Sequence, residues 1–212
     1  MKTFVLNGWA ASPHAWDLCR FRRDRVFSYV EQLDGAPEEA LAREDAVVLV
    51  GWSMGGSGAL RLALACPEKI GGLVLVGATA RMMRDEGWAG MSERRLAALA
   101  FGLRMTNGEG FFGVPAGRPN PYAVDSDENL ARGLDYLRRT DLRAGLDALR
   151  GSGRLSCPVA IFQSERDGIV RAENAAYLKT VFPQAAVTMV PGAEHALPIS
   201  IPGQIDAAVA GM

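Results

Sequence analysis

Three short stretches carry the residue types that could do chemistry together. Gly51-Trp52-Ser53-Met54-Gly55 fits the pattern G-x-S-x-G and is followed by Gly56. A serine hydroxyl is a poor nucleophile at neutral pH and needs a base beside it. The chain has two histidines: His14 in Ser12-Pro13-His14, and His195 in Gly192-Ala193-Glu194-His195-Ala196. A third group, a carboxylate, must hold the imidazole in the correct tautomer and stabilise the imidazolium. Gln163-Ser164-Glu165-Arg166-Asp167-Gly168 offers Glu165 and Asp167. The chemistry these types would support is nucleophilic attack by serine, with histidine as general base.

That chemistry needs particular elements beneath it. A nucleophilic serine of this pattern sits on a sharp turn from strand to helix. Residues 46–51 (AVVLVG) form a continuous apolar run, as expected of a parallel strand buried on both faces. Residues 58–65 read as a helix, ended by Cys66-Pro67, and 72–77 (GLVLVG) as a second buried strand. Strand, helix and strand make a parallel βαβ unit with Ser53 at its first turn. Side chains at Gly51 and Gly55 would collide with backbone across so tight a turn. The helix N-terminus next to Ser53 favours negative charge, which helps an oxyanion to form. The chain order serine, acid, histidine fits this arrangement and selects His195 as the base. His14 reads as a solvated residue in a loop or first helical turn. The acid should end the penultimate strand, 159–163. Asp167 is preferred because Gly168-Ile169-Val170 follow it where the chain turns outward, and Glu165 reads as a surface charge.

The remaining pattern predicts a strand at 3–6 closed by Asn7-Gly8, a β-rich run at 26–32 and a short helix at 38–43. It then predicts a helix at 171–181, a strand at 186–190 and a helix at 202–209 with Pro202 in its first turn. Residues 80–140 differ: charged, irregular from 107 to 121, and helical at 92–103 and 127–139. The expected fold is α/β, a doubly wound, mostly parallel sheet in a single domain spanning 1–212, with 80–140 inserted as a helical lid.

Composition narrows the function classes. The 212 residues are 49% hydrophobic and 22% charged, as in a soluble globular protein. A net charge of −1 gives no reason to expect a nucleic-acid partner. Three cysteines without a C-x-x-C pair suit a reducing compartment, and with two histidines they make a zinc site improbable. No metal or cofactor is called for. No apolar stretch is long enough to span a bilayer, and MKTFVLNGWA lacks the length and cleavage site of a signal peptide. The expected location is cytoplasmic, away from membranes.

Four stretches resemble a known family. They are Leu6-Asn7-Gly8-Trp9 with Trp16; Gly51-Trp52-Ser53-Met54-Gly55-Gly56; Asp167-Gly168-Ile169-Val170; and Ala193-Glu194-His195-Ala196 with Ile199-Ser200. Weaker likeness lies at Arg84-Asp85-Glu86 and Thr140-Asp141-Leu142-Arg143. Together they resemble the α/β-hydrolases, and within them the pimeloyl-carrier-protein methyl ester esterases of biotin synthesis. The resemblance implies a serine carboxylesterase working through an acyl-enzyme, on a small or acyl-carrier-linked methyl ester. An acyl carrier protein is then a candidate partner. It also implies that the N–H groups of Trp9 and Met54 form the oxyanion hole. The chain departs from the family in having Asn7-Gly8 for His-Gly, and in lacking two initial antiparallel strands. A more open entrance is expected.

Two other functions use the same residues differently. The Trp52-Ser53-Met54-Gly55-Gly56 stretch also resembles enzymes of menaquinone synthesis, so a lyase or C–C hydrolase is one alternative. A non-catalytic binding module on a hydrolase scaffold is another. Within the insertion, Met82, Met83, Met91, Phe101, Met105, Phe111 and Phe112 are apolar. Some of Met82, Met83, Phe101, Phe111 and Phe112 are expected to line an acyl pocket together with Trp9, since methionine adapts to irregular apolar ligands. Arg81, Arg84, Arg94, Arg95 and Arg104 form either a solvated face balanced by Asp85, Glu86, Glu93 and Glu109, or a docking patch for an acidic carrier.

Overall fold

The computed structural model describes residues 1–109, 114 and 117–212. Its strands are β1 (Lys2–Leu6), β2 (Arg25–Phe27), β3 (Val47–Trp52), β4 (Ile70–Val76), β5 (Val159–Ser164) and β6 (Ala186–Val190). They form one sheet in the order β2-β1-β3-β4-β5-β6, and every pairing is parallel. The order reverses direction at β1 and β3, which is the switch point where ligands of open α/β sheets bind.

Alternate residues of each central strand feed separate cores. Val5, Val48, Val50, Val74 and Val76 point into one layer. Phe4, Leu6, Leu49, Leu73 and Leu75 point into the other. Both parities are apolar because helices cover both faces, as parallel sheets require. The leucine side packs against α2 (Ala36–Ala42), α3 (Met54–Ala65), α6 (Arg143–Leu149) and α7 (Glu173–Val181). The valine side takes α1 (Tyr29–Leu33), α8 (Leu197–Ser200), α9 (Pro202–Ala210) and the inserted helices α4 (Glu93–Thr106) and α5 (Asp127–Arg139). No helix among the described residues is long and apolar enough to cross a membrane.

Three local expectations change. The β-rich run at 26–32 is a strand only to Phe27, after which Ser28 opens α1. The reason is a reciprocal cap: the Glu31 N–H donates to Ser28 Oγ, and the Ser28 N–H donates to Glu31 Oε2 at 2.8 Å. The helix expected at 58–65 begins at Met54. Gly55, Gly56 and Gly58 weaken its local propensity, so tertiary contacts hold its first turn in place. Finally, α6 was not anticipated; it buries Leu146 and Leu149 under the leucine side.

Candidate active site

Ser53 sits between β3 and α3 with φ 57° and ψ −120°, a conformation that L-residues rarely adopt. The glycines around it make this turn possible. A Cβ on Gly51 would lie 2.4 Å from the Gly55 carbonyl oxygen. One on Gly55 would lie 2.0 Å from the Leu6 carbonyl oxygen. Gly56 has no more room, since its Cβ would come within 2.4 Å of Ala78 Cβ. The Ser53 N–H donates to the Val76 carbonyl at 2.9 Å, which ties the turn to the end of β4.

The candidate acid and base come from the ends of the next two strands. Asp167 follows β5, and its Oδ2 lies 2.7 Å from His195 Nδ1. Its other oxygen, Oδ1, accepts the Ile169 and Val170 N–H groups at 2.8 and 2.9 Å. Those two amides make the outward turn after Asp167 a carboxylate clamp. Gln163 braces it from below by donating to the Val170 carbonyl at 3.0 Å. Glu165 is exposed, and its N–H is spent on the Val190 carbonyl. His195 follows β6 and is buried. The Ser164 hydroxyl donates to the Ala193 carbonyl and so joins the acid loop to the histidine loop. Trp52 Nε1 donates to the His195 carbonyl at 3.0 Å, and the two rings pack with centroids 5.7 Å apart. His14 is far more exposed and pairs with Asp17 at 2.8 Å.

The loop after β1 passes close to Ser53. A Cβ on Gly8 would meet Ser53 Cβ at 3.3 Å, so the loop that carries Trp9 runs beside the serine. Ala10 has φ 51°, which bends the loop there. Asn7, standing where the resembled family has histidine, accepts from Trp16 Nε1 at 2.6 Å. Its carbonyl accepts from Gln32 Nε2 at 2.8 Å. Asn7 therefore anchors the loop from beneath. Met54 opens α3, so its N–H has no acceptor inside the helix.

Ser53, His195 and Trp9 line one cavity with Gly8, Trp52, Met82, Leu99, Leu103, Tyr122, Leu137 and Ile169. Space open to a water-sized molecule is about 20 Å³. Leucines from α4 and α5 form a roof over this cavity. Gly133 lets α5 settle on the loop below, for a Cβ there would lie 2.3 Å from Trp9 Cδ1. Trp9 Nε1 in turn donates to the Leu130 carbonyl at 3.1 Å.

The expected apolar lining is only partly found. Met82 and Trp9 line the cavity. Met83 does not: it bridges Met91 and, half-buried, packs against the same core cluster as Met82 without reaching the cavity lining. Phe101 is a correction. It is 66% exposed on the outer face of α4, about 200° around the helix from Leu99 at 100° per residue. Phe111 and Phe112 lie outside the described residues. Leu96, Leu99 and Leu103 have helical spacing, which would have found the inward face. Tyr122 had no such signal, being in an irregular stretch. Of the five arginines, Arg81 pairs with Asp141, Arg104 with Asp127, and Arg95 donates to the Gly168 carbonyl at 2.8 Å. Among the described residues, no cluster of three or more side chains suited to a metal ion occurs.

Comparison with known proteins shows the family and the fold. The profile of the family described as serine aminopeptidase, S33, matches residues 19–199. A pimeloyl-(acyl-carrier protein) methyl ester esterase of Nitrosomonas europaea is 29% identical, covering 94% of this chain and 90% of its own. One of Chromobacterium violaceum is 30% identical, covering 90% of this chain and 74% of its own. An esterase structure from Exiguobacterium antarcticum superposes with a TM-score of 0.75 at 18% identity, over 100% of this chain and 91% of that one, and shows the fold. The chain belongs to the serine hydrolases of the α/β-hydrolase family.

Proposed function

We propose that Ser53, His195 and Asp167 act as the catalytic triad of a carboxylesterase. The carrying observation is the 2.7 Å contact of His195 Nδ1 with a carboxylate clamped by two amides, in the cavity wall that also holds Ser53. In this reading the Ser53 hydroxyl attacks the ester carbonyl while His195 Nε2 takes its proton. The carbonyl oxygen becomes an oxyanion held by the Trp9 and Met54 N–H groups. His195 then gives the proton to the departing alcohol, leaving an acyl-Ser53 ester. Water, deprotonated by His195, releases the acid and restores Ser53. Asp167 stays ionised throughout and holds the imidazole tautomer.

The substrate in this reading is a methyl or other small ester. The described cavity lining contains no carboxylate to hold the α-ammonium of a peptide, which favours esters over the peptides named in the family description. The curated relatives point to a carrier-linked acyl chain. A chain that long requires α4 and α5 to move aside, because about 20 Å³ holds on the order of one or two waters. Residues 80–140 act as the cap over the site in either case. The three unpaired cysteines suit a reducing, cytoplasmic setting.

The test is turnover of p-nitrophenyl esters over a series of acyl lengths, together with labelling by a fluorophosphonate. Ser53→Ala should lose labelling and on the order of 10⁶ in kcat, with unchanged circular dichroism. Wild-type turnover in that variant overturns the assignment of the nucleophile. Failure on every ester, with turnover of a C–C substrate, overturns the esterase reading while keeping the triad.

A further inference from the structure

The hydrolytic steps leave one polar group in the cavity without a task. Tyr122 lines the site, yet its buried hydroxyl has no hydrogen-bond partner among the described residues. Such groups are rare in folded proteins and call for an explanation. Relaxed packing does not supply one, for Tyr122 is held from three sides. Its backbone is bridged to the loop beside Ser53: Ala11 pairs with Tyr122, Ser12 N–H donates to the Pro121 carbonyl and Ala123 N–H to the Ala10 carbonyl, both at 2.8 Å. Its ring packs on Trp52 with centroids 5.6 Å apart. Gly108, at φ 77°, sits so close behind that a Cβ there would be 2.2 Å from Tyr122 Cβ.

Phenylalanine would fill the same space. What tyrosine adds is one fixed polar atom beside the part of the lining that lies away from Ser53 and His195 and is apolar, with Met82, Leu99, Leu137 and Ile169. Burial pushes the phenol pKa up, and the negative charges of Asp167 and Glu194 push it further. The hydroxyl therefore keeps its proton and can serve as a donor.

We propose that Tyr122 is a specificity-determining residue whose O–H donates a hydrogen bond to an oxygen in the acyl part of the substrate. The enzyme would then favour esters of short hydroxy or oxo acids over esters of plain alkanoic acids. This proposal rests on the esterase reading above. It extends that reading to the substrate class: the apolar wall takes the carbon chain, and the single donor takes its second oxygen.

The experiment compares wild type with Tyr122→Phe on methyl butanoate, methyl 3-hydroxybutanoate and methyl 3-oxobutanoate. Comparing each ester with itself in two enzymes cancels its intrinsic reactivity. The substitution should lower kcat/KM for the two oxygenated esters by about 10- to 100-fold, the usual effect of losing one buried hydrogen bond. Methyl butanoate, which offers the hydroxyl no second oxygen, should lose clearly less than either. Binding of the same esters to Ser53→Ala, followed by tryptophan fluorescence from Trp9 and Trp52, gives a readout that needs no turnover. There, adding Tyr122→Phe should weaken only the oxygenated esters. An equal loss on all three esters, or no loss on any, overturns the proposal. Selective binding without turnover in wild type would uphold the role of Tyr122 and overturn the esterase reading instead.

Discussion

The floor and the roof of the cavity are built on different principles. On the floor, Ser53 and Asp167 are shaped by chain within a few residues of each, and His195 is tied to them by longer-range contacts with Trp52 and Asp167. Ser53 is set by Gly51, Gly55 and Gly56, and Asp167 by the amides of Ile169 and Val170. The roof is assembled from afar. Leu99 and Leu103 come from α4 and Leu137 from α5. The two helices are joined at their outer edge by exposed pairs such as Arg138–Glu93 and Arg104–Asp127. Exposed ion pairs of this kind contribute about 0–1 kcal/mol each. The contrast teaches that the chemistry is preorganised while access is loosely held.

Substitutions on the two sides should separate accordingly. The largest effect belongs to the floor. Asp167→Asn should keep the fold but leave His195 in the wrong tautomer, with a loss on the order of 10³ to 10⁴ in kcat. Glu165→Gln should change kcat by less than about twofold, in line with an exposed charge that holds nothing. If the glutamate variant is the crippled one, the acid has been misassigned, though Ser53 and His195 would stand.

On the roof the effect is on choice of substrate. Leu99→Ala should shift the preferred acyl chain to greater length and cost about 2–5 kcal/mol of stability, measured by urea unfolding. Phe101→Ala, two residues on, should leave the acyl-length profile unchanged because that ring faces solvent. Equal changes in the two profiles would mean that α4 presents a different face to the site.

The smallest effect lies at the outer base of the insertion, where Asp141 accepts from Arg143 and Arg81 at 2.7 Å each. The hydrogen bonds from Arg143 are the main reason its carboxyl pKa falls to about 2. The folded value is below the unfolded value of about 3.9, so the stabilisation is fully present above that pH and is lost as pH falls towards 2. Acid unfolding curves of Asp141→Asn should be flatter than wild type between about pH 4 and 2, and parallel to it above about pH 5. Curves parallel over the whole range would show that the ion cluster contributes nothing.

Much of the floor was legible in the sequence, and for a physical reason. The apolar run at 46–51, the glycines around Ser53 and the turn after Asp167 are local, and local chain geometry is what sets those groups. The α1 helix was missed: Ser28 and Glu31 stand at the spacing of a reciprocal cap, but the β-branched Val26 and Val30 make the run read as strand. The roof was less legible than the floor. Phe101 looks like a pocket residue by type, and only the phase of its helix shows that it points to solvent. Tyr122 could not be reached at all, because its place depends on a bridge to Ala11, more than a hundred positions away.

The backbone of Ser53 has one more consequence. At φ 57° and ψ −120° a residue with a Cβ is held against its preference, at a cost of about 1–3 kcal/mol. Glycine would adopt that geometry freely. The protein therefore holds a strained residue at the proposed nucleophile, so relieving the strain by glycine should come with loss of the reaction. Ser53→Gly should melt a few degrees above Ser53→Ala, about 2–4 °C for each kcal/mol released in a chain of this size. A reactive serine and maximal thermal endurance are competing demands on a single pair of torsion angles.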